Sequence, residues 1–250
     1  MRKYFVFLFL ATLRLAALAF WRRDARWIGD ARPGDPWRGY RVVCFLNHTS
    51  LFEWLFISVV PLSFIWRVAC HGVVPAAGKT LDRPVVGWFF RFLAAHVVSI
   101  TRERDHTWRE VLAHIDPDSM VLILPEGRMM RRNGLDSEGR PMTVRGGIAD
   151  ILEAISEGAM LVAYSGGLHH VQAPGDHLPR PFRTIRMNLE RIDIAAYRAE
   201  LRAEAGTDAA FKRAVVSDLE RRRDLYCPTD ANLSRSRAAA PPSSAPRGPG

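Results

Sequence analysis

Lysine is nearly missing from this chain, cysteine is sparse, and the glycine signatures of nucleotide binding do not occur. Of 35 basic residues only Lys3, Lys79 and Lys212 are lysines; the other 32 are arginines. So complete a skew reflects base composition, and no arginine is read as functional merely for being one. Lys79 is conspicuous for the same reason, although a lysine on a solvated surface is the ordinary case. Cys44, Cys70 and Cys227 are odd in number and lack paired spacing, which argues against a disulfide framework and fits buried thiols in a reducing cytosol. No dinucleotide or Walker-type glycine run is present. His169, His170 and His177 have no acidic or thiolate partner to complete a metal set, so they read as a polar loop and no metal is expected. There is no internal repeat.

The formal net charge of +9 could suggest nucleic acid, but its distribution argues against that partner. The first 27 residues carry six basic and one acidic side chain, and residues 232–250 carry three basic and none acidic. The ends therefore hold eight of the nine surplus charges, whereas a nucleic-acid-binding domain carries its basic face on the folded core. Basic residues flanking an apolar segment suit anionic lipid.

That segment is Tyr4 to Trp21, preceded by Arg2 and Lys3 and followed by Arg22 and Arg23. Apart from Thr12 and Arg14 it is apolar all round, and as a helix it would extend about 27 Å, close to the hydrocarbon thickness of a bilayer. Three readings compete. A cleaved signal peptide lacks a small-residue cleavage site before Trp21. A spanning helix must accommodate Arg14 near its middle at a cost of roughly 2.5 kcal/mol or more. A helix lying in one leaflet lets Arg14 reach the interface. Membrane attachment is the expectation, with Trp21, Trp27, Trp37 and Tyr40 placed for the headgroup region.

The expected organisation is a membrane-anchoring helix and basic flank over 1–27, one domain over 28–231, and a disordered Pro/Ser/Arg tail over 232–250. Strands are predicted near 41–46, 64–70, 97–101, 119–124, 159–164 and 182–188. Helices are predicted from 51 and near 85–95, 106–114 and 147–156, with a charged helical hairpin or covering helix over 195–224. This alternation argues an α/β fold with a mixed, mostly parallel sheet flanked by helices.

Chemistry concentrates where the first of those strands ends. Asn47-His48-Thr49-Ser50-Leu51-Phe52-Glu53-Trp54 places a histidine and a carboxylate at a strand-to-helix junction, where ligands bind in open α/β sheets. A neutral imidazole can take a proton from an alcohol, provided a neighbouring carboxylate holds its other nitrogen as a donor. The competing reading makes Glu53 the third-position partner of Ser50 in a capping box, with His48 a hydrogen-bonded loop residue. A second constellation is Leu124-Pro125-Glu126-Gly127-Arg128. There a glycine allows close backbone approach, Glu126 can bind a hydroxyl or orient an arginine, and Arg128 and Arg102 can grip a phosphate with forked donors.

These blocks resemble the glycerolipid acyltransferases that include 1-acylglycerol-3-phosphate acyltransferase. The resemblance runs over about residues 41 to 190 and has four parts. The first is Asn47-His48 with an acid after a four-residue gap. The second is Lys79, Pro84 and Gly87 followed by Ser99-Ile100-Thr101-Arg102. The third is Leu124-Pro125-Glu126-Gly127 followed by Val144-Arg145-Gly146-Gly147, and the fourth is Gly158 to Tyr164. The chain departs from the family in having Glu53 for aspartate, Gly127-Arg128-Met129 for Gly-Thr-Arg, and Ala163 for proline.

The resemblance implies a membrane-associated O-acyltransferase on the cytoplasmic face of the cell membrane. It implies His48 as the base, Glu53 as its orienting partner, and Asn47, Lys79, Arg102, Glu126, Gly127 and Arg128 as the acceptor site. A lysophospholipid, with 1-acylglycerol 3-phosphate the expected acceptor, would be acylated in phospholipid synthesis from acyl-CoA or acyl carrier protein as co-substrate, with no cofactor. An acyltransferase for another lyso-lipid, and an inactive lipid-binding protein of the same fold, are the alternatives.

Overall fold

Tyr40–Leu46 forms the expected strand and lies in the middle of a seven-stranded sheet. The computed structural model describes residues 1–29, 36–101, 106–176 and 178–228; Arg102, His177 and the tail over 232–250 lie outside the described residues. The strands are β1 (Arg22–Trp27), β2 (Tyr40–Leu46), β3 (Gly72–Ala77), β4 (His96–Ile100), β5 (Met120–Ile123), β6 (Ala159–Ser165) and β7 (Thr184–Asp193), in the spatial order β1-β7-β6-β2-β5-β3-β4. Every neighbouring pair is parallel except β6 and β7, which run antiparallel from Ala159 opposite Asp193 to Ser165 opposite Met187. The mixed, mostly parallel sheet is the predicted one. Arg22 to Trp27, read above as the basic flank of the apolar segment, pair with β7 as its edge strand.

The strand period of two sends alternate residues of β2 into two apolar layers. Val42, Cys44 and Leu46 join Ile148, Ile151 and Leu152 of α6 (Gly147–Ala154), Tyr197 and Leu201 of α7 (Ile194–Glu204), and Phe211, Val215 and Leu219 of α8 (Asp208–Tyr226). Val43 faces the other layer. It lies there with Val6, Leu10 and Ala17 of α1 (Arg2–Phe20) and Phe64, Ile65 and Val68 of α2 (Leu62–His71). The predicted helical hairpin over 195–224 is α7 followed by α8.

One predicted strand is a helix. Residues 64–70 read as extended because Phe64, Ile65, Trp66 and Val68 favour strands. In the fold Phe64, Ile65, Val68 and Ala69 form one buried stripe of α2, a spacing that only helical periodicity produces. The strand follows instead as β3, which contains Pro75. Its pairing with β5 is confined to Gly72 and Val73, so proline occupies a stretch with no ladder on that side.

Candidate active site

β2 ends in a turn whose first residue, Asn47, has φ of 68°, a left-handed conformation that asparagine tolerates better than most residues. Its buried side-chain amide donates to the Ser165 carbonyl at the end of β6 at 2.8 Å. This ties the turn to the neighbouring strand and directs the chain so that His48 faces a cleft. Thr49 Oγ1 accepts from the Leu168 N–H at 2.8 Å, and Ser50 Oγ bonds to Gln172 Oε1 at 2.5 Å. The loop is therefore fixed on several sides before any ligand arrives.

The carboxylate of Glu53 does two things at once. Oε2 lies 2.8 Å from His48 Nδ1, while Oε1 accepts from the backbone N–H groups of Thr49 at 2.7 Å and Ser50 at 3.0 Å. The histidine-orienting reading is met by one oxygen, and the other makes the Glu53 half of a capping box, whose Ser50 half is missing because the Ser50 hydroxyl accepts from Phe52 N–H and not from Glu53 N–H. The segment it opens is a 3₁₀ helix, Glu53–Ser58, rather than the α-helix expected from residue 51. Ser50 Oγ accepts from the Phe52 N–H at 3.1 Å and the Leu55 N–H bonds to the Phe52 carbonyl at 2.9 Å, and this tight winding keeps the Glu53 carboxylate folded back on the loop.

Burial lowers the His48 pKa, but the adjacent Glu53 carboxylate, with Glu126 beyond it, outweighs that effect, so its pKa lies above the ordinary 6.5. Nδ1 faces Glu53, and the remaining ring nitrogen is the one open to chemistry. The cysteines offer no rival nucleophile: Cys44 and Cys227 are buried, and burial raises both thiol pKa values far out of the neutral range, while the half-buried Cys70 is not among the cavity walls.

His48 and Glu53 line a cavity of about 870 Å³ with two chemically distinct ends. One end is polar, with Thr101, Gly127, Arg128, Thr143, Arg145 and Gly146. The other is apolar, walled by Leu10, Phe64, Val68, Leu161, Ala163 and Met187, and runs between the sheet and the helices α1 and α2. The pair sits at the carboxyl ends of β2 and β5, where the loops of parallel strands converge.

The structure separates the predicted acceptor residues into two groups. Gly127, with φ of 63°, and Arg128 line the cavity. Arg128 Nη1 pairs with Asp136 and lies 3.4 Å from Glu138, while its Nε is buried and has no hydrogen-bond partner. Glu126 stands behind the wall. It is 2 % exposed, and its Oε2 accepts from the His48 backbone N–H at 2.7 Å. Asn47 is likewise a buried support. Lys79 is exposed on the short helix α3 (Gly78–Leu81) and is not among the cavity walls, to which its neighbour Thr80 belongs. Gly87, in α4 (Pro84–Phe90), has a packing role: a Cβ there would lie 2.0 Å from the Leu81 carbonyl oxygen.

Sequence reasoning left three participants out of the site. Arg145 lines the polar end and lies against Gly127, Gln172 holds Ser50, and Arg223 of α8 donates to Glu126 Oε1 at 3.1 Å. Arg145 carried a signal in the basic residue before Gly146. Arg223 carried none, being one of three consecutive arginines among thirty-two. Among the described residues there is no group of His, Cys, Asp and Glu placed to hold a metal ion.

A search of curated proteins finds no match to this sequence. Among solved structures, the fold is similar to that of the 1-acyl-sn-glycerophosphate (LPA) acyltransferase PlsC from Thermotoga maritima. That match has a TM-score of 0.53 and 16% identity, over 89% of this chain and 80% of that one. The acyltransferase family model matches residues 34–165, a span that takes in β2, the histidine loop, the glycine-rich wall and β6. With more than half of the sequence matched and the histidine–carboxylate pair assembled within it, this chain is a member of the acyltransferase family.

Proposed function

We propose that the protein moves a fatty acyl group from the thioester of acyl-CoA or acyl carrier protein to the hydroxyl of a lysophospholipid, with 1-acylglycerol 3-phosphate the leading acceptor. The observation that carries this reading is one cavity lined by the His48–Glu53 pair, by the polar residues Thr101, Arg128, Thr143 and Arg145, and by a broad apolar wall. The open ring nitrogen of His48 takes the proton of the acceptor hydroxyl, and that oxygen attacks the thioester carbonyl carbon. The C–S bond breaks, and the departing thiolate takes the proton back from the imidazolium. Glu53 holds the Nδ1 proton and stabilises the cation formed in between. Arg128 and Arg145 line the polar end of the cavity, and in this reading the acceptor phosphate enters between them. The apolar end takes the acyl chain.

The exposed side of α1 supports membrane attachment in one leaflet. Tyr4, Phe5, Leu8, Leu15 and Phe20 are exposed, while Val6, Leu10 and Ala17 are buried against the domain. Arg14 Nε donates to the Val60 carbonyl at 2.9 Å, so its side chain is turned toward the domain rather than into the lipid-facing side of the helix. Trp66 and Trp88, both exposed, continue the apolar face through ring contacts with Tyr4 and Phe9.

The test is thiol release by purified protein against a panel of lyso-lipid acceptors, with long-chain acyl-CoA and acyl-carrier-protein donors. His48→Ala is expected to abolish transfer while the protein stays folded at the assay temperature. Persistence of transfer in that variant removes His48 as the base. Consumption of no donor with any acceptor removes the enzymatic reading and favours a lipid-binding role.

A further inference from the structure

Glu126 is flanked on both sides. One oxygen accepts from the His48 N–H, and the other accepts from Arg223 Nη1, which also donates to the Met142 carbonyl at 3.2 Å. One turn earlier on α8, Glu220 Oε1 accepts from the Val144 N–H at 2.9 Å. Two side chains of one helix therefore hold both polar loops of the cavity: the loop at Glu126, Gly127 and Arg128, and the loop at Met142, Val144 and Arg145. The loops are also joined to each other, because the Arg145 N–H bonds to the Pro125 carbonyl at 2.9 Å.

The helix can act as a fixed support because it is itself fastened. Arg222 pairs with Glu190 of β7 and with Asp218, each at 2.6 Å, and Asp218 accepts from the Tyr197 hydroxyl at 2.9 Å. Asn188 of β7 donates to the Tyr226 carbonyl at 2.8 Å. α8 lies wholly beyond the stretch that matches the family model.

We propose that the C-terminal helix α8 is part of the acyl-transfer machinery, with Arg223 a positioning residue that acts through Glu126 on His48, and Glu220 a positioning residue that acts through Val144 on the cationic wall. The inference rests on His48 being the base, as proposed above. The physical effect is twofold. Arg223 holds the buried Glu126 carboxylate so that the His48 N–H keeps its partner, and its charge offsets that of Glu126. Without that offset, Glu126 would favour the imidazolium and withdraw the free base at neutral pH.

The experiment uses the full chain and compares wild type, Arg223→Met, Arg223→Lys, Glu126→Gln and the double variant Arg223→Met/Glu126→Gln. Transfer from palmitoyl-CoA to 1-acylglycerol 3-phosphate is followed across pH, and the His48 ring is titrated by NMR on histidine-labelled protein. Arg223→Met is expected to lower kcat about 10- to 100-fold and to leave KM for the donor within about twofold. It should also move the acid limb and the His48 titration upward by about one pH unit. Arg223→Lys should return the limb to its wild-type position. Glu126→Gln should move it downward, and in that background Arg223→Met should lower kcat no further, because the positioning acts through Glu126.

An acid limb and a His48 titration that stay put in Arg223→Met, with activity falling only in proportion to folded protein, would overturn the inference and leave α8 a packing element. If Arg223→Met does not fold, Glu126→Gln decides alone, and an unmoved His48 titration there overturns it. The ring titration needs no turnover, so a protein inactive toward every acceptor would defeat the proposed function while this inference is still read out.

Discussion

Replacing Glu53 with glutamine tests the centre of the site with the least disturbance to its shape. The amide oxygen can stay with the Thr49 and Ser50 N–H groups at 2.7 and 3.0 Å, which places the NH₂ group where Oε2 faced His48 Nδ1 at 2.8 Å. The contact then reverses. Nδ1 must accept, the ring proton moves to the other nitrogen, and that nitrogen can no longer take a proton from an alcohol. Loss of the orienting carboxylate in hydrolase triads costs on the order of 10⁴ in kcat, and a fall of about 10³- to 10⁴-fold is expected here. Glu53→Asp is the graded partner. It shortens the side chain by one methylene, about 1.5 Å, so the carboxylate reaches either the imidazole or the backbone N–H groups but not both. Loss of one charge-assisted hydrogen bond, about 1.5–3 kcal/mol, predicts a 10- to 100-fold loss. Both variants are assayed by thiol release with the donor saturating, beside thermal melts showing equal folded fractions. Retention of more than a tenth of wild-type turnover in Glu53→Gln, or equal losses in the two variants, would refute the assignment of Glu53 as the orienting group.

Other outcomes follow from the same structure. Because burial lowers the His48 pKa but Glu53 and Glu126 raise it past the ordinary 6.5, kcat/KM should rise with pH to a plateau with its midpoint above 6.5; a midpoint below that would contradict the electrostatics. The linked stability has the opposite sense. The His48–Glu53 pair contributes fully below the unfolded histidine pKa and is lost as pH rises through the folded one, so Glu53→Gln should lower the melting temperature more at pH 6 than at pH 9. Gly87→Ala, which sets a methyl group 2.0 Å from the Leu81 carbonyl oxygen, should destabilise the protein by about 1–3 kcal/mol in denaturant melts. Ala163→Leu narrows the apolar end of the cavity and should shift donor preference toward shorter acyl chains, read from relative kcat/KM over a chain-length series. Leu8→Glu with Leu15→Glu, both on the exposed side of α1, should cut co-sedimentation with lipid vesicles several-fold without lowering the melting temperature.

The sheet was largely legible because its strands carry their own signals. β2, β4, β5 and β6 are short β-branched or apolar runs bounded by breakers, and each lies within a residue or two of the predicted place. α2 reads as a strand from sequence because a buried helix of fewer than three turns that carries Phe, Ile, Trp and Val has the composition of a strand. β1 was obscured because Arg22 to Trp27 has a polar edge-strand face that merges with the basic flank of the apolar segment. In the site, the His48 and Glu53 contact was readable from spacing, since both lie in one short loop. The partners of Glu126 were not, because the ion pair with Arg223 joins residues 97 apart in sequence, and no local pattern marks which of Arg221, Arg222 and Arg223 turns inward. The Asp136 and Glu138 partners of Arg128 lie in a hydrophilic hairpin that reads as ordinary solvated loop.

Leu10 has a consequence for handling the protein. It belongs both to the buried stripe of the first helix and to the lining of the active-site cavity. Trimming this greasy leader would therefore unroof the apolar compartment proposed above for the fatty chain. Such a shortened protein would be a leaky vessel rather than a detached but intact catalyst.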